Sequence, residues 1–137
     1  MHDFMTQQSR NILLIEDDHD LGQSTSEILK LGHTVEWVTS ADAAFKSLSR
    51  NQFDAAIVDL SLGADSAVTM IKALQRFGKP LPPLIIFSAQ PISMIRDAVK
   101  DTGAAIALQK PCSAAVIQEA IEFAVAHRAA AKPGNAA

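Results

Sequence analysis

Five short apolar runs, separated by segments of helical periodicity, constrain the fold of this 137-residue chain more than any other feature. The runs lie at 11–16, 34–39, 53–59, 84–88 and 105–108. Short runs rich in apolar and β-branched residues are typical of buried strands. Between the runs, apolar residues recur three or four positions apart, which predicts helices. Strands that alternate with helices and are apolar throughout predict a parallel sheet covered by helices on both faces.

Local signals mark where the five predicted helices begin and end. Gly32 and Gly103 stand just beyond two helical segments, and glycine commonly ends a helix. Ser40 and Ser113 are suitable N-caps, and Pro91 suits the start of a helix. Leu21, Thr25, Ile28 and Leu29 lie at helical spacing in the first helix, and the expected inward face of the second helix is Ala44, Phe45 and Leu48.

Composition predicts one globular domain with short flexible ends. We expect residues 1–10 to be disordered, residues 11–128 to form the domain, and residues 129–137 to be a disordered tail. Apolar residues make up 48% of the chain, which excludes an intrinsically disordered protein. Cys112 is the one cysteine, so an intramolecular disulfide and a cysteine-based zinc site are excluded.

Charge and hydropathy argue against two kinds of partner. The formal net charge of −3 predicts no bulk electrostatic attraction to nucleic acid or to an anionic membrane. The polar start lacks the apolar stretch of a signal peptide, and no run approaches the roughly 18 apolar residues of a membrane span. We therefore expect a soluble cytoplasmic protein that binds neither nucleic acid nor membrane.

Polar side chains stand at the carboxyl ends of four predicted strands. Glu16 and Asp17 follow the first strand, Asp59 ends the third, Ser88 ends the fourth and Lys110 follows the fifth. In a doubly wound parallel sheet, the carboxyl ends of the strands share one edge, and ligands bind there where the strand order reverses. We therefore expect these five side chains to lie together.

Such a group of side chains suits a divalent cation and a phosphoryl group. Carboxylates held close together repel one another unless a cation or a shared proton relieves the repulsion. Mg²⁺ prefers oxygen ligands, and with the metal bound one carboxylate can attack a phosphorus centre. Lys110 can neutralise a phosphoryl oxygen, and the Ser88 hydroxyl can hydrogen-bond another. The residues therefore predict a metal-assisted phosphoryl acceptor.

These motifs resemble the receiver domain of two-component response regulators over about residues 11 to 127. The matching pieces are Glu16-Asp17 after strand one, Asp59 in Ile-Val-Asp-Leu-Ser-Leu, Ser88-Ala89 and Lys110-Pro111. The resemblance implies a flavodoxin-like three-layer α/β sandwich, with a five-stranded parallel sheet of order 2-1-3-4-5 and five helices. It also implies a regulatory phosphoacceptor protein rather than an enzyme, with at most slow self-dephosphorylation.

The resemblance assigns an expected role to each acidic position. Asp59 would accept the phosphoryl group from a histidine kinase or a phosphotransfer protein. Asp17 would bind Mg²⁺ directly and Glu16 would bind it through water. Asp59 and the backbone carbonyl of Ser61 would be further ligands. Asp18 is expected to begin the first helix instead.

The resemblance also implies how the phosphoryl group is held and how the output arises. Ser88 and Lys110 would contact the phosphoryl group, and a cis peptide before Pro111, common in the family, would aim Lys110 into the site. The chain is expected to act as a single-domain receiver, as in a phosphorelay. Its output would be a downstream protein or self-association through helix 4, strand 5 and helix 5.

Two positions depart from the family pattern. The family usually has an aromatic residue three positions before the lysine, which rotates inward on phosphorylation, and this chain has Ala107 there. Signalling is then expected through loop movement, helix displacement or partner binding. A pseudo-receiver that is not phosphorylated is the alternative. The loop after Asp59 also differs, with Gly63-Ala64-Asp65-Ser66 where a proline and a glycine are frequent.

Two other functions would use related chemistry. Aspartyl-phosphate phosphatases and phosphotransferases also use Mg²⁺ and an aspartate nucleophile, but they typically need a second aspartate where this chain has Ser61. A flavodoxin-like module would need a loop rich in glycine, serine or threonine after strand one, whereas residues 16–20 supply negative charge. Both readings are less favoured than the receiver.

Overall fold

The computed structural model describes residues 8–59, 64–76 and 80–135. For residues 64–67 and 129–135 it describes the backbone and not the side chains. The strands are β1 (Asn11–Ile15), β2 (Thr34–Val38), β3 (Ala55–Val58), β4 (Leu84–Ser88) and β5 (Ile106–Gln109). The helices are α1 (His19–Lys30), α2 (Ala41–Arg50), α3 (Ala64–Arg76), α4 (Ile92–Thr102) and α5 (Ala114–Asn135). Strands and helices alternate along the chain, as the apolar runs predict.

The five strands form one parallel sheet of order β2-β1-β3-β4-β5. This confirms the predicted doubly wound fold. The order reverses at β1, which lies between β2 and β3, so the carboxyl ends of β1 and β3 adjoin at the switch point. Ile15, the last residue of β1, pairs with Val38 on one side and Val58 on the other.

The hydrogen-bond ladder continues just past the strand ends and places the polar residues. Glu16 N–H donates to the Val38 carbonyl at 3.0 Å, and Asp59 N–H donates to the Ile15 carbonyl at 3.0 Å. Lys110 N–H donates to the Ser88 carbonyl at 2.8 Å. Each polar residue is therefore attached through its backbone to the neighbouring strand.

The core has two halves, one on each face of the sheet, because successive strand residues point to opposite faces. On one face Leu13, Ile15, Ala56, Val58, Leu84 and Ile86 pack against α2, α3 and α4. On the other face Ile12, Leu14, Ala55, Ile57, Ile85 and Phe87 pack against α1 and α5. Burying each large aliphatic side chain stabilises the fold by about 1.5–3 kcal/mol. The sheet is therefore a stable support for the polar residues at its carboxyl edge.

Three apolar residues of the predicted helices are exposed rather than buried. Leu21 and Ile28 are 44% and 39% exposed, and the buried stripe of α1 is Gly22, Thr25, Ser26 and Leu29. That stripe has the i, i+3, i+4, i+7 spacing of a helix face, and it shares Thr25 and Leu29 with the residues picked out by the sequence. Phe45, on the predicted inward face of α2, is 40% exposed, whereas its neighbour Ala44 is fully buried.

The ends of the chain differ in part from the expected boundaries. The backbone of α5 is helical as far as Asn135, past the boundary expected at residue 128. The alanines at 126 and 129–131 favour continuation of the helix. Arg10, which we placed in a disordered segment, forms an ion pair with Glu122. Residues 1–7 and 136–137 lie outside the described residues.

Within residues 8–59, 64–76 and 80–135, none of the helices has the length and apolar character needed to cross a bilayer.

Candidate functional site

Carboxylates from two adjacent strands meet at the carboxyl edge of the sheet. Oxygen atoms of Glu16, Asp17 and Asp59 all lie within 4.8 Å of one another. Glu16 and Asp59 are each 1% exposed, whereas the side chain of Asp17 is exposed. Adjacent positions after β1 thus supply one buried and one open carboxylate, and β3 supplies the second buried one.

Lys110 brings a positive charge to these carboxylates. Its Nζ lies 3.0 Å from Oε1 of Glu16 and 3.3 Å from Oδ2 of Asp59. The ammonium also lies 5.0 Å from the centroid of the Phe87 ring, a cation–π distance. The Lys110–Pro111 peptide bond is cis, as the resemblance implied. The side chain is therefore held by two carboxylates and an aromatic face.

The electrostatic balance of the site is negative. Three carboxylates face one ammonium, so the group carries excess negative charge when all are ionised. Burial, and next a hydrogen bond with Asp59, raise the pKa of Glu16 to about 7, and the hydrogen bond from Lys110 acts in the opposite direction. Burial disfavours the charged form of the Glu16 carboxyl group, and the neighbouring Asp59 carboxyl group further disfavours its ionisation.

The third acidic residue of the run has a different role. Oδ1 of Asp18 accepts a hydrogen bond of 2.9 Å from the Leu21 N–H, which caps the amino terminus of α1. The Asp18 N–H donates to Oε2 of Glu16 at 3.2 Å. Asp18 therefore begins the helix, as expected, and helps to hold Glu16.

Ser88 lies at the same edge, one strand beyond Asp59. It is fully buried, and its Oγ accepts a hydrogen bond of 3.0 Å from the Gln90 N–H. The side chain of Gln109 donates to the Gln90 carbonyl at 3.2 Å, which ties the end of β5 to the loop after β4. The structure thus brings Glu16, Asp17, Asp59 and Lys110 into direct proximity and places Ser88 beside them through the Lys110 backbone.

The chain matches the model of the response regulator receiver domain family over residues 12–122. It belongs to that family. The receiver domain is 38% identical over 101 residues to the response regulator protein PmrA of Pseudomonas aeruginosa, covering 73% of this chain and 45% of that protein. It is 30% identical over 129 residues to the sensory/regulatory protein RpfC of Xanthomonas campestris pv. campestris, covering 90% of this chain and 18% of that protein.

Solved receiver structures share the fold of this receiver domain. A response regulator receiver domain protein from Clostridium thermocellum has a TM-score of 0.75 at 21% identity, covering 86% of this chain and 95% of that one. The Francisella response regulator 1452 receiver domain has a TM-score of 0.74 at 17% identity, covering 87% and 98%. The chain spans less than half the length of the two curated relatives above.

Family membership sets the broad role of this receiver domain. Receiver domains of two-component signalling are regulatory phosphoacceptors rather than typical enzymes. They interact with histidine kinases or phosphotransfer proteins and with downstream targets.

The carboxylates of Glu16, Asp17 and Asp59, called here the acidic group, fit the Mg²⁺ that receiver domains bind in an acidic pocket. Its donors are all carboxylate oxygens, the ligands that hard divalent cations prefer, and their excess negative charge favours a cation. Glu16, Asp17 and Asp59 are the described residues that would hold the metal. Ser61, whose backbone carbonyl the resemblance implied as a further ligand, lies outside the described residues.

Ala107 occupies the position where the family usually has an aromatic residue. It pairs with Ile86 in the β4–β5 register and packs, partly buried, against the core half that contains α4. Its side chain ends at Cβ, so it has no rotamer that could alternate between two positions. A rotating side chain at position 107 therefore cannot couple this site to the surface of the domain.

One neighbour of the acidic group was not anticipated from the sequence. Nε1 of Trp37, near the end of the edge strand β2, donates a hydrogen bond of 2.9 Å to the Glu16 carbonyl. Taken alone, the sequence predicts a packing role for Trp37 and a solvated side chain for His19. In the structure the His19 ring meets the indole edge-to-face, with centroids 5.1 Å apart. No local motif signals this contact, because it depends on the pairing of β2 with β1.

Proposed function

We propose that Asp59 of this receiver domain accepts a phosphoryl group from a phosphohistidine donor, and that the phosphorylated domain signals through changed affinity for a protein partner. The observation that carries the proposal is the position of the Asp59 carboxylate. It is buried at the switch point, and its Oδ2 lies 3.3 Å from the Lys110 ammonium, within reach of Glu16 and Asp17.

The proposed transfer requires a nucleophile and charge neutralisation. A carboxylate oxygen of Asp59 attacks phosphorus, the bond between phosphorus and the donor imidazole nitrogen breaks, and its electron pair stays on that nitrogen. The product is an acyl phosphate on Asp59. Lys110 would pair with a phosphoryl oxygen, and the Ser88 hydroxyl, whose oxygen accepts from Gln90, still has its own proton to donate.

The proposed metal ligands are Asp17 and Asp59 directly, Glu16 through water, and the backbone carbonyl of Ser61. Bound Mg²⁺ would supply neutralisation of the charge on the transferring phosphoryl group. The exposed position of Asp17 supports its role, because it is the carboxylate of the group that faces incoming solvent and ions. The buried Glu16, already paired with Lys110, suits an indirect role.

For output, we propose binding of a downstream protein, or self-association, through α4, β5 and α5. Support comes from large apolar side chains exposed on the two helices: Ile92 and Met94 on α4, and Val116 and Phe123 on α5. β5 is an edge strand of the sheet and lies beside α4 and α5. Exposed apolar side chains of this kind favour protein contacts.

Intact-mass measurement after incubation with acetyl phosphate and Mg²⁺ tests the phosphorylation proposal. A gain of one phosphoryl mass in the wild type and none in Asp59→Asn is expected. No gain of mass in either protein, with circular dichroism showing that both are folded, would favour the hypothesis of a pseudo-receiver that Ala107 motivates. An equal gain in both would show that Asp59 is not the acceptor, and rapid turnover of phosphate esters would favour the phosphatase reading.

A further inference from the structure

We propose that Trp37 is a positioning residue for the acidic group, and that its indole N–H sets where Asp17 lies for the cation. The inference rests on the proposed Mg²⁺ site. It concerns a residue on β2, an edge strand that contributes no carboxylate to the acidic group of Glu16, Asp17 and Asp59.

The backbone of Glu16 is attached to β2 at both of its polar groups. Its N–H donates to the Val38 carbonyl at 3.0 Å, which extends the ladder between β1 and β2. Its carbonyl accepts the 2.9 Å hydrogen bond from Nε1 of Trp37, where the strand ladder has ended. A side chain of β2 therefore continues the attachment of β1 for one more peptide unit.

That peptide unit is the one that leads to Asp17. The Glu16 carbonyl shares a rigid plane with the N–H and Cα of Asp17, because peptide bonds are planar. Holding the carbonyl oxygen therefore fixes the orientation of the plane from which the Asp17 side chain starts. On the other side of Asp17, the capping residue Asp18 is held by its hydrogen bonds to Leu21 and Glu16. The exposed carboxylate is thus positioned from both sides.

The indole itself is held by the first turns of α1. A Cβ added at Gly22 would overlap ring atoms of Trp37, so the ring lies directly on the helix backbone at that residue. The His19 ring packs edge-to-face on the indole at 5.1 Å. Because the ring is confined by Gly22 and His19, its N–H stays aimed at the Glu16 carbonyl.

Calorimetric titration with Mg²⁺ tests the role directly. Trp37→Phe keeps an aromatic ring over Gly22 but lacks the N–H, and we expect it to bind Mg²⁺ about five-fold more weakly with unchanged stoichiometry. Gly22→Ala forces the indole away from Glu16 without altering any carboxylate, and we expect a loss of about the same size. The matched control is His33→Ala, which removes a buried side chain at the opposite end of β2 and should leave Mg²⁺ affinity unchanged.

A second measurement uses the wild type alone. The chain has one tryptophan, so its indole N–H gives one resonance in a ¹⁵N–¹H spectrum. We expect that resonance to shift during the Mg²⁺ titration, with the same midpoint as the calorimetric curve. This measurement requires no variant to fold.

Three outcomes would overturn the positioning role. One is equal Mg²⁺ affinity in the wild type and in folded Trp37→Phe. That result would leave the proposed function unaffected. Another is an indole resonance that does not move while the wild type binds Mg²⁺, and a third is equal weakening in His33→Ala. Failure of the wild type to bind Mg²⁺ would refute the proposed metal site and the role of Trp37 together, and it is distinguishable because the wild type itself then fails.

Discussion

The ammonium of Lys110 lies 3.3 Å from Oδ2 of Asp59, and the same nitrogen lies 3.0 Å from Oε1 of Glu16. One cation from the end of β5 thus joins carboxylates from the ends of β1 and β3 across the sheet. The Lys110 side chain is 13% exposed and both carboxylates are 1% exposed, so solvent screens these pairs little. Loss of this cation should be felt in the stability of the fold as well as in the chemistry.

Replacement of Lys110 by methionine should lower the free energy of unfolding by about 3 kcal/mol. Breaking a buried pair by removing one partner typically costs this much, because the carboxylates stay buried without their counter-charge. Urea denaturation in metal-free buffer measures the effect. The matched control is Lys46→Met, whose pair with Asp42 is exposed and should contribute at most about 0.5 kcal/mol. Equal losses in the two variants would contradict the proposed importance of Lys110.

Mg²⁺ should stabilise the wild type against heat, and Asp17→Asn should abolish the effect. A ligand that binds only the folded state, at about 100 times its Kd, stabilises by about 2.7 kcal/mol. Without the metal, Asp17→Asn should be no less stable than the wild type, because it removes one of three neighbouring negative charges.

The control for this prediction is the adjacent residue. Asp18→Asn retains a side chain that caps helices well, and Asp18 belongs to the helix cap in the structure. Its Tm should rise with Mg²⁺ as much as that of the wild type. If Asp17→Asn responds to Mg²⁺ like the wild type while Asp18→Asn does not, the ligand assignment is reversed.

His33 should be a stability residue rather than a site residue. Its Nδ1 accepts a 2.9 Å hydrogen bond from the Arg10 N–H, and its Nε2 lies 2.7 Å from Oε1 of Gln118. Since Nδ1 accepts, Nε2 carries the proton and donates to Gln118. His33→Ala should therefore lower the free energy of unfolding by about 1–3 kcal/mol, measured by urea denaturation.

The comparison for His33 is the exposed His127, which stacks on the exposed Phe123. His127→Ala should change the free energy of unfolding by at most about 0.5 kcal/mol, as is usual for surface positions. An effect of His33→Ala as small as this would show that the contacts of His33 with Arg10 and Gln118 do not stabilise the fold.

The fold was predictable because the strand runs are apolar throughout and separated by clear helix signals. Runs such as Ile12-Leu13-Leu14-Ile15 leave little choice other than a buried parallel strand, and that environment then places the residues that follow each strand at one edge. The topology thus made the approach of Lys110 to Asp59 an expected contact, although the two residues are distant in sequence.

What escaped prediction depends on side-chain geometry between elements. Leu21 and Ile28 differ from the true inward stripe of α1 by one position, and periodicity alone does not fix a rotation of that size. The rotation of α1 is decided by Trp37, whose ring occupies the space beside residue 22 and leaves room only for a glycine there. Contacts of Trp37 with Glu16, and of His33 with Arg10 and Gln118, likewise join elements whose relative placement a sequence pattern does not carry.

Phosphorylation of Asp59 is tested most directly by locating the phosphoryl group chemically. The protein is incubated with acetyl phosphate and Mg²⁺, reduced with borohydride, which converts an aspartyl phosphate to homoserine, and mapped by tandem mass spectrometry. We expect homoserine at position 59, dependent on Mg²⁺, with aspartate retained at 17 and 18. Homoserine at another position, or none in a folded protein that binds Mg²⁺, would contradict this expectation.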